Sequence, residues 1–310
     1  MSKLAALFSG QGAQKPGMGK SLYDTSPRAR TIFERAEAIR PGIKDLCFSG
    51  TQEELDKTIH TQPCIFTVDV AAYTAFSEIA QPAYCAGFSL GEYAALTCGG
   101  VMPFEDVFRL VLKRAEWMQQ AADEHPGGMV AVLGKTSDEV DALLDKVRGD
   151  GLLMGVNYNC PGQIVVAGDL AELNRLLEYA KENKIKCVRL NTGGAFHSPY
   201  MESASEKIFE AVQDMNFLEP LIPLYSNKTA QLYELPTMKK ELADQTKCPV
   251  LFEKIIRDMI KRGCDTFVET GQGNTLLGFV RRIDKSVNVF HVDDAQSFNE
   301  AADSLNALGF

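Results

Sequence analysis

Basic residues are in short supply in this chain: 32 lysines and arginines face 41 aspartates and glutamates, for a net charge of −9. A protein that grips nucleic acid needs a basic face to neutralise phosphates, so the balance argues against that class of partner. Long apolar runs are missing as well. No stretch reaches about 18 apolar residues in a row, so no segment is expected to span a membrane. The start, Met1-Ser2-Lys3-Leu4-Ala5-Ala6-Leu7-Phe8, carries one charge and too short an apolar stretch for an export signal. A cytoplasmic location is the expectation. The eight cysteines include no C-x-x-C pair and lie mostly in apolar stretches, which speaks against a zinc site and suits buried, reduced thiols. Histidine is scarcer still. There are four, His60, His125, His197 and His291, so a catalytic base has few candidates.

What is present is the composition of an ordinary globular enzyme, with 45% hydrophobic and 24% charged residues. Leu4 to Phe8 is a continuous apolar run closed by Ser9-Gly10-Gln11-Gly12, the pattern of a buried strand and a sharp turn. Helices are expected over 27–39, 63–79 and 104–124, with a strand over 83–88 and another helix from Gly91 that Gly99-Gly100 stops. The alternation points to a parallel sheet covered by helices. Between 128 and 193 the rhythm changes to strand (129–133), helix (137–147), strands (152–157 and 163–167), helix (170–182) and strand (186–190), the order of a ferredoxin-like unit. Beyond it come a helix over 201–215, a strand near 223–226, a helix over 252–261, a strand over 265–269, a helix over 275–283 and a last strand over 287–292. The expected fold class is therefore α/β. A large parallel-sheet, α/β-hydrolase-like domain (1–127 and 194–310) is interrupted by a small ferredoxin-like α+β insert (128–193).

Gly87-Phe88-Ser89-Leu90-Gly91 fits G-x-S-x-G between an expected strand and an expected helix. A serine on that turn projects its hydroxyl outward, and the helix start behind it aims N–H groups at the same point. Taken alone, the pentapeptide is equally a glycine-flanked turn; the strand–turn–helix context favours a nucleophile. Of the histidines, His60 reads as part of a polar turn, His125 as part of a Pro-Gly loop and His291 as the end of a strand. His197, in Gly193-Gly194-Ala195-Phe196-His197-Ser198-Pro199, sits where the insert rejoins the large domain, a place for a cleft. That makes it the favoured base. On the 104–124 helix, Phe104, Val107, Leu110, Val111, Met118 and Ala121 form an apolar stripe, and Arg114 falls in the middle of it. A lone buried charge is very costly. Arg114 is either half of an internal ion pair with Asp or Glu, or an anion receptor whose planar fork takes a carboxylate by two parallel hydrogen bonds. In a serine acyltransferase the second role would select acyl groups that end in carboxylate, and malonyl fits.

Taken together, Gly10-Gln11-Gly12-Ala13-Gln14, Thr61-Gln62-Pro63, Gly87-Phe88-Ser89-Leu90-Gly91-Glu92, Lys113-Arg114, Asn157-Tyr158-Asn159-Cys160-Pro161-Gly162-Gln163, Ala195-Phe196-His197-Ser198 and Gln245 before Cys248-Pro249-Val250 resemble the malonyl-CoA:acyl-carrier-protein transacylases of fatty-acid synthesis and the related polyketide acyltransferase domains. The resemblance runs over nearly the whole chain. It implies Ser89 as the acylated nucleophile, His197 as the general base and the N–H groups of Gln11 and Leu90 as the oxyanion hole. Arg114 would hold the malonyl carboxylate, with Gln62 beside it. The residue that orients the histidine through its backbone carbonyl would be Gln245. Ala195-Phe196-His197-Ser198 resembles the tetrad of malonyl-selective members. Two positions depart from the pattern: Phe88 stands where the family usually has histidine, which implies a less polar wall beside the acyl pocket, and Gly271-Gln272-Gly273 replaces Gly-Pro-Gly.

The implied partners are malonyl-CoA and an acyl carrier protein, with no metal or redox cofactor and a monomeric enzyme. An acidic carrier needs a positive rim on this acidic chain, and Lys184, Lys186 and Arg189 with Arg281, Arg282 and Lys285 are the basic clusters available. Two rival readings remain at this level: a thioesterase or lipase-like hydrolase, and a non-catalytic scaffold that binds carrier protein. Arg114 is of no use to a lipase, and a scaffold has no need of both Ser89 and His197.

Overall fold

The computed structural model describes residues 2–310. Two four-stranded sheets organise it. The first is parallel, in the order β2 (Tyr84–Gly87), β1 (Lys3–Phe8), β7 (Cys264–Thr270), β8 (Asn288–Val292). The second is antiparallel, in the order β4 (Leu153–Cys160), β5 (Gln163–Asp169), β3 (Gly127–Leu133), β6 (Lys186–Arg189). The chain is thus a mixed α/β protein. β1 is central and covered on both faces, which is why its sequence is apolar without alternation: Leu4 to Phe8 are all buried. Helix Thr58–Phe76 is buried along nearly its whole length, and Phe104–Glu124 packs its apolar stripe against it. No described helix is long and apolar enough to cross a membrane.

The antiparallel sheet is tied to a neighbouring loop segment. Tyr158 N–H donates to Val250 O (2.9 Å) and Val250 N–H to Val156 O (2.8 Å), so edge strand β4 grips the segment that follows Gln245.

Three expectations need correction. Helix Thr58–Phe76 begins before Pro63 and carries that proline inside it. Proline there forfeits its own hydrogen bond to the carbonyl of Ile59, a loss confined to the second turn of a helix that tertiary packing holds in place. His60 consequently lies in the first helical turn, not in a polar turn. The strand expected near 223–226 is reduced to single bridges, Cys85 with Leu224 and Tyr225 with Leu232. Pro223 brings no N–H, and the turn through Ala230, at φ 55°, reverses the chain at once. Helices Lys20–Thr25, Ile43–Ser49, Gln52–Leu55, Leu235–Asp244 and Ala295–Leu308 add to those expected.

Candidate active site

β2 ends at Gly87 and the helix Gly91–Cys98 starts four residues later, so the chain must reverse between them. Ser89 sits at the apex with φ 53°, a left-handed conformation strained for a side chain of its size. The flanking glycines are sterically required. A Cβ on Gly87 would collide with the backbone of Gly91 and Glu92, and one on Gly91 with the carbonyls of Phe8 and Ser9. Asn227 clamps the turn: its Oδ1 accepts from Ser89 N–H (2.7 Å) and its Nδ2 donates to Gly87 O (2.7 Å). No motif in the sequence marked Asn227, because it acts on backbone groups far away in the chain.

His197 is 3% exposed and also left-handed, at φ 60°. Its N–H donates to Thr246 O (2.9 Å). Its Nδ1 lies 2.9 Å from Gln245 O, which can only accept, so the ring proton sits on Nδ1. Nε2 is left as an acceptor, and the Ser89 hydroxyl donates to it at 2.7 Å. Burial pushes the imidazole down to about 4; the Gln245 carbonyl opposes that shift and the Arg114 charge adds to it. A neutral imidazole at pH 7 is the form that can take a proton.

Arg114 is 1% exposed. It donates to Gln62 Oε1 (2.7 Å) and Gln245 Oε1 (3.1 Å), lies 3.4 Å from Ser89 Oγ through Nη2, and its Cζ sits 5.0 Å from the centroid of the Tyr93 ring. Its Nε has no partner, and among the described residues no carboxylate forms an ion pair with it. Of the two roles open to a buried arginine, the internal ion pair is absent.

A small cavity of about 80 Å³ is lined by Ser89, His197, Arg114, Gln11, Leu90 and Met118, among others. The N–H groups of Gln11 and Leu90 donate to no protein acceptor among the described residues. A cleft of about 430 Å³ shares Gln11, Phe88, Asn157, Leu190 and Thr192 with the small cavity and runs between the two sheets. Asn157, Asn159 and Glu269 contribute to its lining, and one oxygen of each is buried without a hydrogen-bond partner. Phe88 closes one wall, its ring 5.4 Å from that of Phe252 and 6.3 Å from that of Phe279.

All seven site residues expected from the sequence meet here: Ser89, His197, Gln11, Leu90, Arg114, Gln62 and Gln245. The remaining histidines stay away. His60 Nδ1 faces Glu54 O (2.9 Å), His125 stacks on Tyr200 with ring centroids 4.8 Å apart, and His291 approaches Asp293. Of the basic clusters, Lys184, Lys186 and Arg189 stand exposed at the edge of the antiparallel sheet, and Arg282 donates to Gln163 Oε1 (3.1 Å) at the margin of the large cleft.

A serine–imidazole pair in a strand–turn–helix elbow, with free N–H groups beside it, is the arrangement of enzymes that pass acyl groups through serine. The chain belongs to the acyl transferase domain family, whose model matches residues 6–298. Within that family it is similar to a malonyl CoA-acyl carrier protein transacylase of Bacillus subtilis (strain 168), 37% identical over 98% of each chain. It is also similar to the crystal structure of a malonyl CoA-acyl carrier protein transacylase from Clostridium perfringens, with a TM-score of 0.94 at 37% identity over 99% of this chain and 98% of that one. A further similar structure is a malonyl-transacylase in complex with its type II PKS acyl-carrier protein, with a TM-score of 0.93 at 29% identity over 98% of this chain and 100% of that one.

Proposed function

We propose that this chain transfers the malonyl group of malonyl-CoA to the phosphopantetheine thiol of an acyl carrier protein, by a ping-pong cycle through a malonyl ester on Ser89. The observation that carries the reading is the convergence on one small cavity of the Ser89–His197 hydrogen bond (2.7 Å) and a buried guanidinium that no acid touches directly. Ser89 Oγ attacks the thioester carbonyl as its proton passes to His197 Nε2; such a base contributes about 10²–10⁴-fold. The oxyanion is met by the N–H groups of Gln11 and Leu90, each such donor worth about 10²–10³ in rate. The C–S bond breaks, and the coenzyme A thiolate leaves with the proton from His197. The carrier thiol then gives its proton to His197, attacks the ester carbon and regenerates the serine hydroxyl. Arg114 takes the free malonyl carboxylate, Gln62 steadies that guanidinium, and Gln245 holds the imidazole through its carbonyl. The pantetheine arm lies along the larger cleft.

We read 128–193 as a ferredoxin-like insert in an α/β-hydrolase-like domain made of 1–127 and 194–310; the antiparallel order of β4, β5, β3 and β6 and the elbow geometry support this. The enzyme works as a cytoplasmic monomer in acyl-chain assembly, of fatty acids or of polyketides. Arg281, Arg282 and Lys285, with Lys184, Lys186 and Arg189 across the cleft, are the docking rim for the acidic carrier.

Intact-protein mass spectrometry tests the core of this. Mixing with malonyl-CoA should add one malonyl group, absent in Ser89→Ala. Arg114→Ala should lose most of the preference for malonyl-CoA over acetyl-CoA. Label that survives in Ser89→Ala, or an unaltered preference without Arg114, refutes the assignment.

A further inference from the structure

Behind the nucleophile lies a buried acid that the mechanism above does not use. Glu92, in the first turn of the helix after Ser89, is fully buried and lies in the middle of a polar network. Its Oε2 accepts from Asn227 N–H (3.1 Å) and from Gln245 Nε2 (3.1 Å), and its Oε1 from the Tyr233 hydroxyl. Two of these donors already touch the site. Asn227 holds Ser89 N–H, Gln245 Nε2 also donates to Ser89 O (2.6 Å), and Gln245 Oε1 accepts from Arg114. One side-chain amide therefore stands between the only guanidinium in the cavity and a carboxylate, its oxygen towards the cation and its nitrogen towards the anion.

We infer that Glu92 is a positioning residue and the internal counter-charge of Arg114, relayed by the Gln245 amide, and that it tunes how strongly the site takes a substrate carboxylate. The inference rests on the reading that Arg114 receives malonyl. While Glu92 is ionised it competes, through Gln245, with the incoming carboxylate for the field of Arg114. Binding of malonyl returns the favour: a second anion near the same guanidinium raises the proton affinity of Glu92, so malonyl-CoA binding takes up a proton. Burial pushes the Glu92 carboxyl up to about 7, against its three hydrogen-bond donors and Arg114, so the exchange falls near neutral pH. The other ionisable groups around it are Tyr93 on its own helix, Arg114 from Phe104–Glu124, Tyr233 and His197 from the facing loops, and, one step further out, Glu241 and the Asp244–Lys228 pair. Tyr93 and Tyr233 are raised and stay neutral. His197 could mimic the proton uptake, and so could Glu269 in the larger cleft, which burial pushes up to about 8.

Glu92→Gln keeps the shape of the side chain and its acceptor towards Asn227 and Gln245, with Tyr233 turned to accept from the new amide. A scaffold residue so replaced would leave substrate affinity unchanged or weaken it. A counter-charge does the opposite. The experiment is calorimetric titration of malonyl-CoA and acetyl-CoA into Ser89→Ala enzyme, which cannot be acylated, with and without Glu92→Gln. At pH 8 the Glu92→Gln form should bind malonyl-CoA more tightly, roughly three- to tenfold, the size of a coupling of about half to one pKa unit. Its affinity for acetyl-CoA should be unchanged, and at pH 6 the malonyl gain should vanish. Titrations at pH 7 in buffers of different ionisation enthalpy should show a fraction of a proton taken up by the parent and none by Glu92→Gln. Unchanged or weaker malonyl-CoA binding at pH 8, or uptake that persists without Glu92 and so belongs to another group, overturns the inference. No malonyl-over-acetyl preference in the Ser89→Ala parent would instead bring down the Arg114 reading beneath it. If Glu92→Gln fails to fold by circular dichroism, Tyr233→Phe serves: losing one donor to the carboxylate should move the pH break in malonyl affinity upward, and an unmoved break counts against the inference.

Discussion

His197 owes its basic form to burial. An imidazole in water is half protonated near pH 6.5; closed off from solvent beside the Arg114 charge it is pushed down to about 4. The unfolded chain binds a proton at pH 6.5 and the folded one only near 4, so this residue contributes stability that is present above about pH 6.5 and lost as pH falls towards 4. With four histidines to assign, nuclear magnetic resonance can follow it directly. The His197 ring signals, identified by their loss in His197→Gln, should hold still from pH 8 to about 5 and move near 4. A midpoint near 6.5 would mean that the ring is solvated and the cavity open. At this scale much was legible. Ser89 stood out because its motif is local, and Arg114 because a guanidinium breaks an apolar stripe. Asn227 and Tyr233 left no mark, since what they do depends on partners more than a hundred residues away.

At the scale of elements, the elbow is a packing solution. The helix Gly91–Cys98 approaches β1 so closely that position 91 has no room for a methyl group against the Phe8 and Ser9 carbonyls. Backbone atoms cannot rotate away, so Gly91→Ala should destabilise the protein by at least about 1–3 kcal/mol. Gly278, on helix Thr275–Ile283, has nothing within 4 Å of its would-be Cβ. There the same substitution removes backbone freedom from the unfolded chain and should stabilise by about 0.5–1 kcal/mol. Urea denaturation of the two variants checks the contrast; equal shifts of the same sign would contradict it. Amphipathic helices and buried strands could be read from period and apolarity. Helix Ala295–Leu308 went unread although it is opened by a reciprocal cap between Asp294 and Ser297; a serine at the third position is a weaker signal than glutamate. Of the short helices, Gln52–Leu55 carries a local T-x-x-E cap from Thr51 to Glu54 but is too short to show a period, and Ile43–Ser49 leans on contacts with Thr58–Phe76 that no local pattern encodes.

For the whole molecule, the two sheets define the cleft and the charge around it decides who enters. A chain of net charge −9 repels an acidic partner at long range, so the proposed carrier rim must act locally, within about a Debye length of 8–10 Å. Replacing Arg281 and Lys285, both exposed, by glutamate should raise KM for the carrier protein by roughly tenfold at low salt, less as salt is added, and leave malonylation of Ser89 by malonyl-CoA intact. Equal loss in both half-reactions, or no salt dependence, would place docking elsewhere.

The sequence by itself determined the α/β alternation, the elbow serine, the misplaced arginine and the family to which they point, because each is written in neighbouring residues or in one helical period. Tertiary structure alone decided that Arg114 meets no internal acid, that Gln245 serves His197 with its carbonyl and Arg114 with its amide, and that Glu92 lies one amide away from that cation. Those are distances between side chains brought together from separate elements, and burial, which sets their charge, exists only once the chain has folded.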